Sequence, residues 1–167
     1  MTTAVGRFRE LLRIPTVSHA DESAIDWGSF AAFQDALERL YAETHRVLDR
    51  EVVDGHSLLY RWRGSGGGDP LVLMAHIDVV PVVESEWEHP PFAAEIVGEG
   101  SDAAIHSRGA IDDKGSLVAI LEAVEQLDGV LAAVGFHHAG QHVAAQGGFA
   151  ACRFEHRAGL ADPGVRA

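Results

Sequence analysis

The apolar run LVLMAHI, residues 71–77, is the feature that most constrains the fold of this chain. Such a run is typical of a strand that is buried on both faces of a parallel or mixed sheet. It ends in His76 and, two positions later, Asp78. Because alternate residues of a strand point to the same side, the imidazole and the carboxylate are predicted to lie together at the carboxyl end of this strand.

Helical and strand patterns surround this run. We predict helices over residues 4–12, 27–41 and 114–127, where apolar residues recur at helical spacing. We predict further strands in the segments HRVLDREVV, SLLYRWRG, FAAEIVGEG and AAIHSRG, the first two forming a hairpin around DGH. This order of elements predicts an α/β fold, a three-layer sandwich around a mixed sheet.

Charge and composition exclude several classes of function. The formal net charge of −12 argues against nucleic acid or an anionic membrane surface as a partner. The N-terminus lacks the pattern of a secretory signal, and no apolar run approaches the roughly 18 residues that span a bilayer, so a cytoplasmic location is expected. With Cys152 as the single cysteine, any bound metal ion would need histidine and carboxylate ligands.

A second polar cluster, SRGAIDDKG, occupies residues 107–115. Gly109 permits a tight turn, and the adjacent Asp112 and Asp113 directly precede a predicted helix. Aspartate is a common helix N-cap, which explains one carboxylate but not two. Capping and metal binding therefore both remain open for this pair, as do structural and metal-binding roles for His76.

Two loops complete the pattern. The glycine-rich segment GSGGGDP at residues 64–70 is predicted to be a plain surface loop, because no GK[ST] follows it as in phosphate-binding loops. Trp87 and Phe92 flank the rigid Pro90–Pro91 pair. These aromatic side chains either pack over the sheet edge or form a wall of a substrate crevice.

The succession HIDVVPV, W-x-x-PPF and RGAIDDKG, followed by the helix LVAILEAVEQL, resembles the M20 family of metallopeptidases. The resemblance is strongest to the branch of carboxypeptidase S-like enzymes and acyl-amino-acid hydrolases, and it covers roughly residues 5–127 in order and spacing. It implies the N-terminal part of the family's catalytic domain, a truncated α/β fold of the zinc-peptidase (phosphorylase/hydrolase-like) type.

The resemblance also implies roles for individual residues. His76 corresponds to a metal ligand, and Asp78 to the catalytic-site carboxylate that hydrogen-bonds to this histidine. Asp112 corresponds to the aspartate that bridges two zinc ions, and Asp113 follows it across a cis peptide bond. Asp113, Lys114 and Gly109 support the motif, which Lys114 and Gly115 complete, and Lys114 receives no chemical role.

The implied chemistry is hydrolysis of an amide bond in a peptide or an N-acyl amino acid. The implied cofactor is a pair of zinc ions, with cobalt or manganese as alternatives. The general base of the family lies in an adjacent pair of glutamates downstream of the helix, and no such pair follows Leu127. We therefore expect this chain to be inactive. One alternative is a non-catalytic remnant or partner subunit with at most weak metal binding, and another is an unrelated α/β binding protein in which both motifs are incidental.

The character of the sequence changes after residue 127. Segment 128–167 is rich in Ala, Gly, His and Arg, and beyond one candidate strand, VLAAVGF, it has no helical or strand periodicity. We interpret residues 1–127 as part of a catalytic domain and residues 128–167 as an atypical tail, either frameshifted or poorly ordered. Metal binding by the tail histidines is not expected; these are His137, His138, His142 and His156.

Overall fold

The computed structural model describes residues 3–62, 71–133 and 143–147. Within these ranges the helices are α1 (Ala4–Leu12), α2 (Trp27–Leu40), α3 (Ala42–Val47) and α4 (Lys114–Ala133). The strands are β1 (Asp49–Val53), β2 (Ser57–Trp62), β3 (Leu71–Ala75), β4 (Glu95–Val97), β5 (Ala104–His106) and β6 (Val143–Gly147). No helix in this part of the chain is long and apolar enough to cross a membrane.

The first two helices begin at side-chain caps. The Thr3 hydroxyl accepts a hydrogen bond from the Gly6 N–H at 3.1 Å, and the Asp26 carboxylate accepts one from the Gly28 N–H at 3.0 Å. Each cap satisfies an N–H group that a helix start leaves without an intrahelical partner. The predicted helices over 4–12 and 27–41 are confirmed to within one residue.

The larger sheet has four strands in the order β1-β2-β6-β3. β1 pairs with β2 as an antiparallel hairpin, β2 pairs antiparallel with β6, and β6 pairs parallel with β3. The strands β4 and β5 form a separate antiparallel pair. The predicted α/β class, the hairpin around DGH and the mixed sheet are confirmed.

The prediction that the LVLMAHI strand is buried on both faces is wrong. Leu71, Val72 and Met74 of β3 are 55%, 53% and 59% exposed, while Ala75 is buried. Hydrophobicity shows that a strand is suited to burial, but it does not reveal which elements cover the strand. Among the described residues, β3 has a paired neighbour on one edge, β6, and a helix packed against it, α4.

Three smaller expectations also need correction. The segment HRVLDREVV begins as helix α3, and residues 130–133 of the candidate strand VLAAVGF belong to α4. β6 is a strand in a segment where the sequence shows no strand periodicity. Backbone pairing with β2 and β3 on both sides can hold a strand of weak propensity. Residues 63–70, with the whole glycine-rich loop, and most of 128–167 lie outside the described residues.

The helices and the sheet enclose one hydrophobic core. Its largest fully buried apolar or aromatic side chains are Leu11, Leu12, Phe30, Phe33, Leu37, Tyr41, Leu58, Tyr60, Ile77 and Leu121. At its margin the Arg7 guanidinium pairs with the Glu122 carboxylate, which also accepts a hydrogen bond from the Tyr41 hydroxyl at 3.1 Å. This cluster joins α1 to α4, the helix that follows the second polar motif.

Candidate metal centre

Backbone contacts to an N-terminal loop fix the segment that follows β3. The Thr16 hydroxyl donates to the Ile77 carbonyl at 2.5 Å, and the Val79 N–H donates to the Thr16 carbonyl at 2.9 Å. The Ser18 N–H in turn donates to the Val79 carbonyl at 2.9 Å. The loop therefore extends the path of β3 by a short parallel bridge, which holds the residues on either side of Asp78.

His76 lies between two carboxylates. Its Nδ1 is 3.1 Å from Oδ1 of Asp78 and 3.0 Å from the Asp78 carbonyl oxygen. Its Nε2 is 2.8 Å from Oδ1 of Asp112. The Asp78 side chain is buried, whereas that of Asp112 is 86% exposed. One ring nitrogen is thus held by the protein interior, and the other faces an accessible carboxylate.

The turn before α4 brings Asp112 to this position. Gly109 has a φ of +81°, and a Cβ atom there would lie 2.8 Å from Cγ1 of Val79, so a side chain would be both strained and crowded. The Asp112–Asp113 peptide bond is cis. Oδ2 of Asp113 accepts a hydrogen bond from the His76 N–H at 3.3 Å, which ties the turn directly to the end of β3.

The two carboxylates favour positive charge at His76. Hydrogen bonding to Asp78, and to a lesser extent to Asp112, outweighs the opposing effect of burial and raises the pKa of His76 to about 9. Lys114 shows the reverse, because burial lowers the pKa of its ammonium group to about 7. The carboxylates around His76 therefore favour a positive charge at this position, whereas Lys114 has lost the solvation that normally supports its charge.

The donor chemistry of this cluster fits a divalent metal ion. An imidazole whose Nδ1 is held by a carboxylate presents Nε2 as a ligand, which is the usual arrangement at a metal-bound histidine. His76 Nε2 and Asp112 Oδ1 combine nitrogen and oxygen donors of the kind that zinc accepts. No group of three or more potential ligands surrounds one ion position within the described ranges.

Lys114, Trp87 and Phe92, which were also predicted at the site, make contacts other than with His76. Lys114 is fully buried, and its Nζ donates to the Ile14 carbonyl at 2.7 Å and to the Leu11 carbonyl at 3.3 Å, so it anchors the start of α4. Trp87 lies under the guanidinium of Arg108, and Phe92 is half-buried. The tail histidines lie outside the described residues.

Sequence reasoning missed the residues that hold the site in place. Thr16 lies in the segment IPTVS, whose proline indicates a loop but gives no sign that its hydroxyl bonds to Ile77. Arg108 is visible as part of RGAIDD, yet its aromatic partner is 21 positions away in the chain. Neither contact has a local sequence signal.

Replacing Asp78 with asparagine is expected to weaken metal binding without removing the ligand. The amide keeps an oxygen near Nδ1 of His76 but loses the charge that makes this imidazole a better donor. Loss of such an outer carboxylate typically costs about 10–100-fold in metal affinity. Isothermal titration of the Asp78→Asn chain with Zn²⁺ measures this change; an affinity equal to that of the unaltered chain would contradict the orienting role of Asp78.

Part of the chain matches a known protein family. The model of peptidase family M20/M25/M40 matches residues 72–137. The matched region contains residues 72–75 of β3, His76, the loop with Trp87 and Phe92, and the turn with Asp112. The residues of the candidate metal centre therefore all fall inside it.

Relatives and solved structures extend this similarity. A probable carboxypeptidase S-like protein of Dictyostelium discoideum is 41% identical over 122 residues, 72% of this chain and 24% of the relative. The human N-fatty-acyl-amino acid synthase/hydrolase PM20D1 is 36% identical over 119 residues, 70% of this chain and 23% of the relative. An M20 family metallo-carboxypeptidase from Sulfolobus solfataricus superimposes with a TM-score of 0.64 at 25% identity, over 89% of this chain and 31% of that structure.

The chain thus spans about a quarter of the length of the curated relatives that it matches. What these proteins share with it is the region that includes the candidate metal centre.

Proposed function

Because the chain belongs to peptidase family M20/M25/M40, of which it spans a part, we propose that it carries the metal-ligating portion of a hydrolase. The proposed substrates are peptides or N-acyl amino acids, cleaved at the amide bond. The names of the relatives support both substrate classes, since they include a carboxypeptidase S-like protein and an N-fatty-acyl-amino acid hydrolase.

One observation supports this proposal most strongly. His76 has its Nδ1 at 3.1 Å from a buried carboxylate and its Nε2 at 2.8 Å from an exposed one. A purely structural histidine needs no second carboxylate that is open to solvent. An imidazole whose Nδ1 is bound by a carboxylate is the usual arrangement at a metal-bound histidine, and an accessible carboxylate beside Nε2 adds a second donor.

Each residue has a distinct part in this proposal. His76 Nε2 and Asp112 Oδ1 would hold the ion, Asp78 would fix the tautomer of His76, and Asp113 would keep the turn against the end of β3. Zinc held by these residues would supply Lewis-acid chemistry toward an amide carbonyl and a water molecule, and Asp112 is also proposed as a ligand for a second zinc ion.

The chain alone is proposed to bind the ion without hydrolysing substrate. Hydrolysis also needs a general base within reach of the attacking water. In the described part of the chain, three carboxylates contact His76. Each already has a proposed role: Asp78 orients this histidine, Asp112 binds the ion and Asp113 holds the turn. The base and the remaining ligands are proposed to come from a separate polypeptide.

The test pairs a binding measurement with an activity measurement. Isothermal titration of the full chain with Zn²⁺ or Co²⁺ is expected to detect one site that depends on His76. An assay of dipeptide and N-acyl-amino-acid hydrolysis in the presence of the same ion is expected to detect no turnover. Absence of metal binding would contradict the metal-ligating function, and turnover dependent on His76 would contradict the inactivity of the chain alone.

A further inference from the structure

We propose that Trp87 is a positioning residue for the metal ligand Asp112, acting through Arg108. The sequence is compatible with two roles for Trp87, a wall of the substrate crevice and packing over the sheet edge. Its contacts in the structure indicate a third role. Trp87 and Arg108 form a clamp, a contact that joins the aromatic loop, residues 84–92, to the turn that carries Asp112. This inference rests on the proposed metal-binding function of that turn.

The loop and the turn meet first at the backbone. The carbonyl oxygen of Pro91 accepts two hydrogen bonds, from the Arg108 N–H at 2.7 Å and from the Ser107 hydroxyl at 2.9 Å. Both donors immediately precede Gly109, where the backbone enters the left-handed conformation. The start of the turn is therefore fixed to the proline pair of the loop.

The second contact is between side chains. The guanidinium carbon of Arg108 lies 4.8 Å from the centre of the Trp87 ring. Nε of Arg108 is buried and has no hydrogen-bond partner among the described residues. A cation over an aromatic face is an attractive contact, and it gains strength where water is excluded. Within the described ranges, the Trp87 ring is thus a direct contact that holds this guanidinium.

A third contact anchors the loop itself. Nδ1 of His89 is 3.0 Å from Oε2 of Glu95, and its ring packs edge-on against His106 at 4.8 Å between centroids. Glu95 and His106 are directly paired across β4 and β5. The loop that presents Trp87 is therefore tied to the same strand that leads into Arg108.

Asp112 depends on this clamp because few contacts hold its own side chain. The side chain is 86% exposed, and its hydrogen-bond partner is His76. Its position is thus set by the path of the backbone from Arg108 through Gly109, which lies against Val79 without room for a Cβ atom. A shift at Arg108 is transmitted along this short turn to the carboxylate.

The test compares metal affinity with stability in matched variants. Trp87→Ala is expected to lower the Zn²⁺ affinity by about tenfold, as for other groups that orient ligands, and Arg108→Gln by a similar factor. Trp87→Phe keeps an aromatic face and is expected to restore most of the affinity. The control is Trp27→Ala, which removes a ring stacked on His56, outside the site, and is expected to leave the affinity unchanged.

Each outcome distinguishes the inference from the function on which it rests. If the unaltered chain does not bind Zn²⁺, the proposed metal site fails, and the positioning role fails with it. If the chain binds Zn²⁺ and Trp87→Ala binds equally well, the positioning role alone is overturned. If Trp87→Ala does not fold, the Zn²⁺ affinities of Arg108→Gln and Trp87→Phe test the positioning role instead. A variant that loses stability to urea but keeps the Zn²⁺ affinity of the unaltered chain would contradict the inference.

Discussion

Replacing His76 with alanine is expected to lower the affinity of the chain for Zn²⁺ by about 100-fold or more. Removing an outer group that only orients a ligand typically lowers metal affinity about 10–100-fold, and in the proposed site His76 supplies the donor atom itself. The substitution also leaves the carboxylates of Asp78 and Asp112 without the imidazole between them. Isothermal titration, or competition with a chromophoric chelator, measures the change.

The control must account for other histidines. His19 lies outside the site, so His19→Ala is the matched substitution and is expected to bind Zn²⁺ like the unaltered chain. The tail histidines are replaced by alanine in all samples, because imidazoles outside the described residues could also take up the ion; they are His137, His138, His142 and His156. Equal affinity of the His76→Ala and His19→Ala chains would contradict ligation by His76.

Replacing Lys114 with alanine is expected to destabilise the fold by about 2–5 kcal/mol, as for other truncations of large buried side chains. The side chain is 0% exposed, and its Nζ lies 4.8 Å from the centre of the Phe33 ring. The change leaves a cavity and removes the donor from the carbonyls of Leu11 and Ile14. Urea unfolding followed by circular dichroism measures the free energy of unfolding.

Gln126→Ala on the exposed face of the same helix is the control, and its effect is expected to stay within about 0.5 kcal/mol. Lys114→Met separates the two causes, since it retains most of the volume but not the donor. A Lys114→Ala chain as stable as the Gln126→Ala chain would show that Lys114 does not anchor the start of α4 to the first helix and its following loop.

Much of the fold could be predicted from local patterns. Helical spacing of apolar residues located α1 and α2, and the turn DGH located the β1–β2 hairpin. The errors arose where distant parts of the chain decide the outcome. The exposure of β3 depends on its neighbours in the sheet, and β6 is a strand because β2 and β3 pair with its backbone.

At the candidate site, too, the sequence predicted the local contact and did not predict the contacts between distant segments. Alternation along a strand was enough to predict that His76 and Asp78 lie together, and their Nδ1–Oδ1 distance is 3.1 Å. The approach of Asp112 to His76 joins residues 36 positions apart and was implied only by the family resemblance. The roles of Thr16 and Trp87 depend on a hydrogen bond and a ring contact between distant segments, for which composition and spacing carry no signal.

The most direct test of the metal centre is anomalous diffraction from a crystal of the chain soaked in Zn²⁺. We expect an anomalous peak at the zinc absorption edge within bonding distance of both His76 Nε2 and Asp112 Oδ1, roughly 2.0–2.2 Å for such ligands. A well-ordered His76 and Asp112 with no peak between them, or with zinc bound only elsewhere on the chain, would contradict the proposed metal centre.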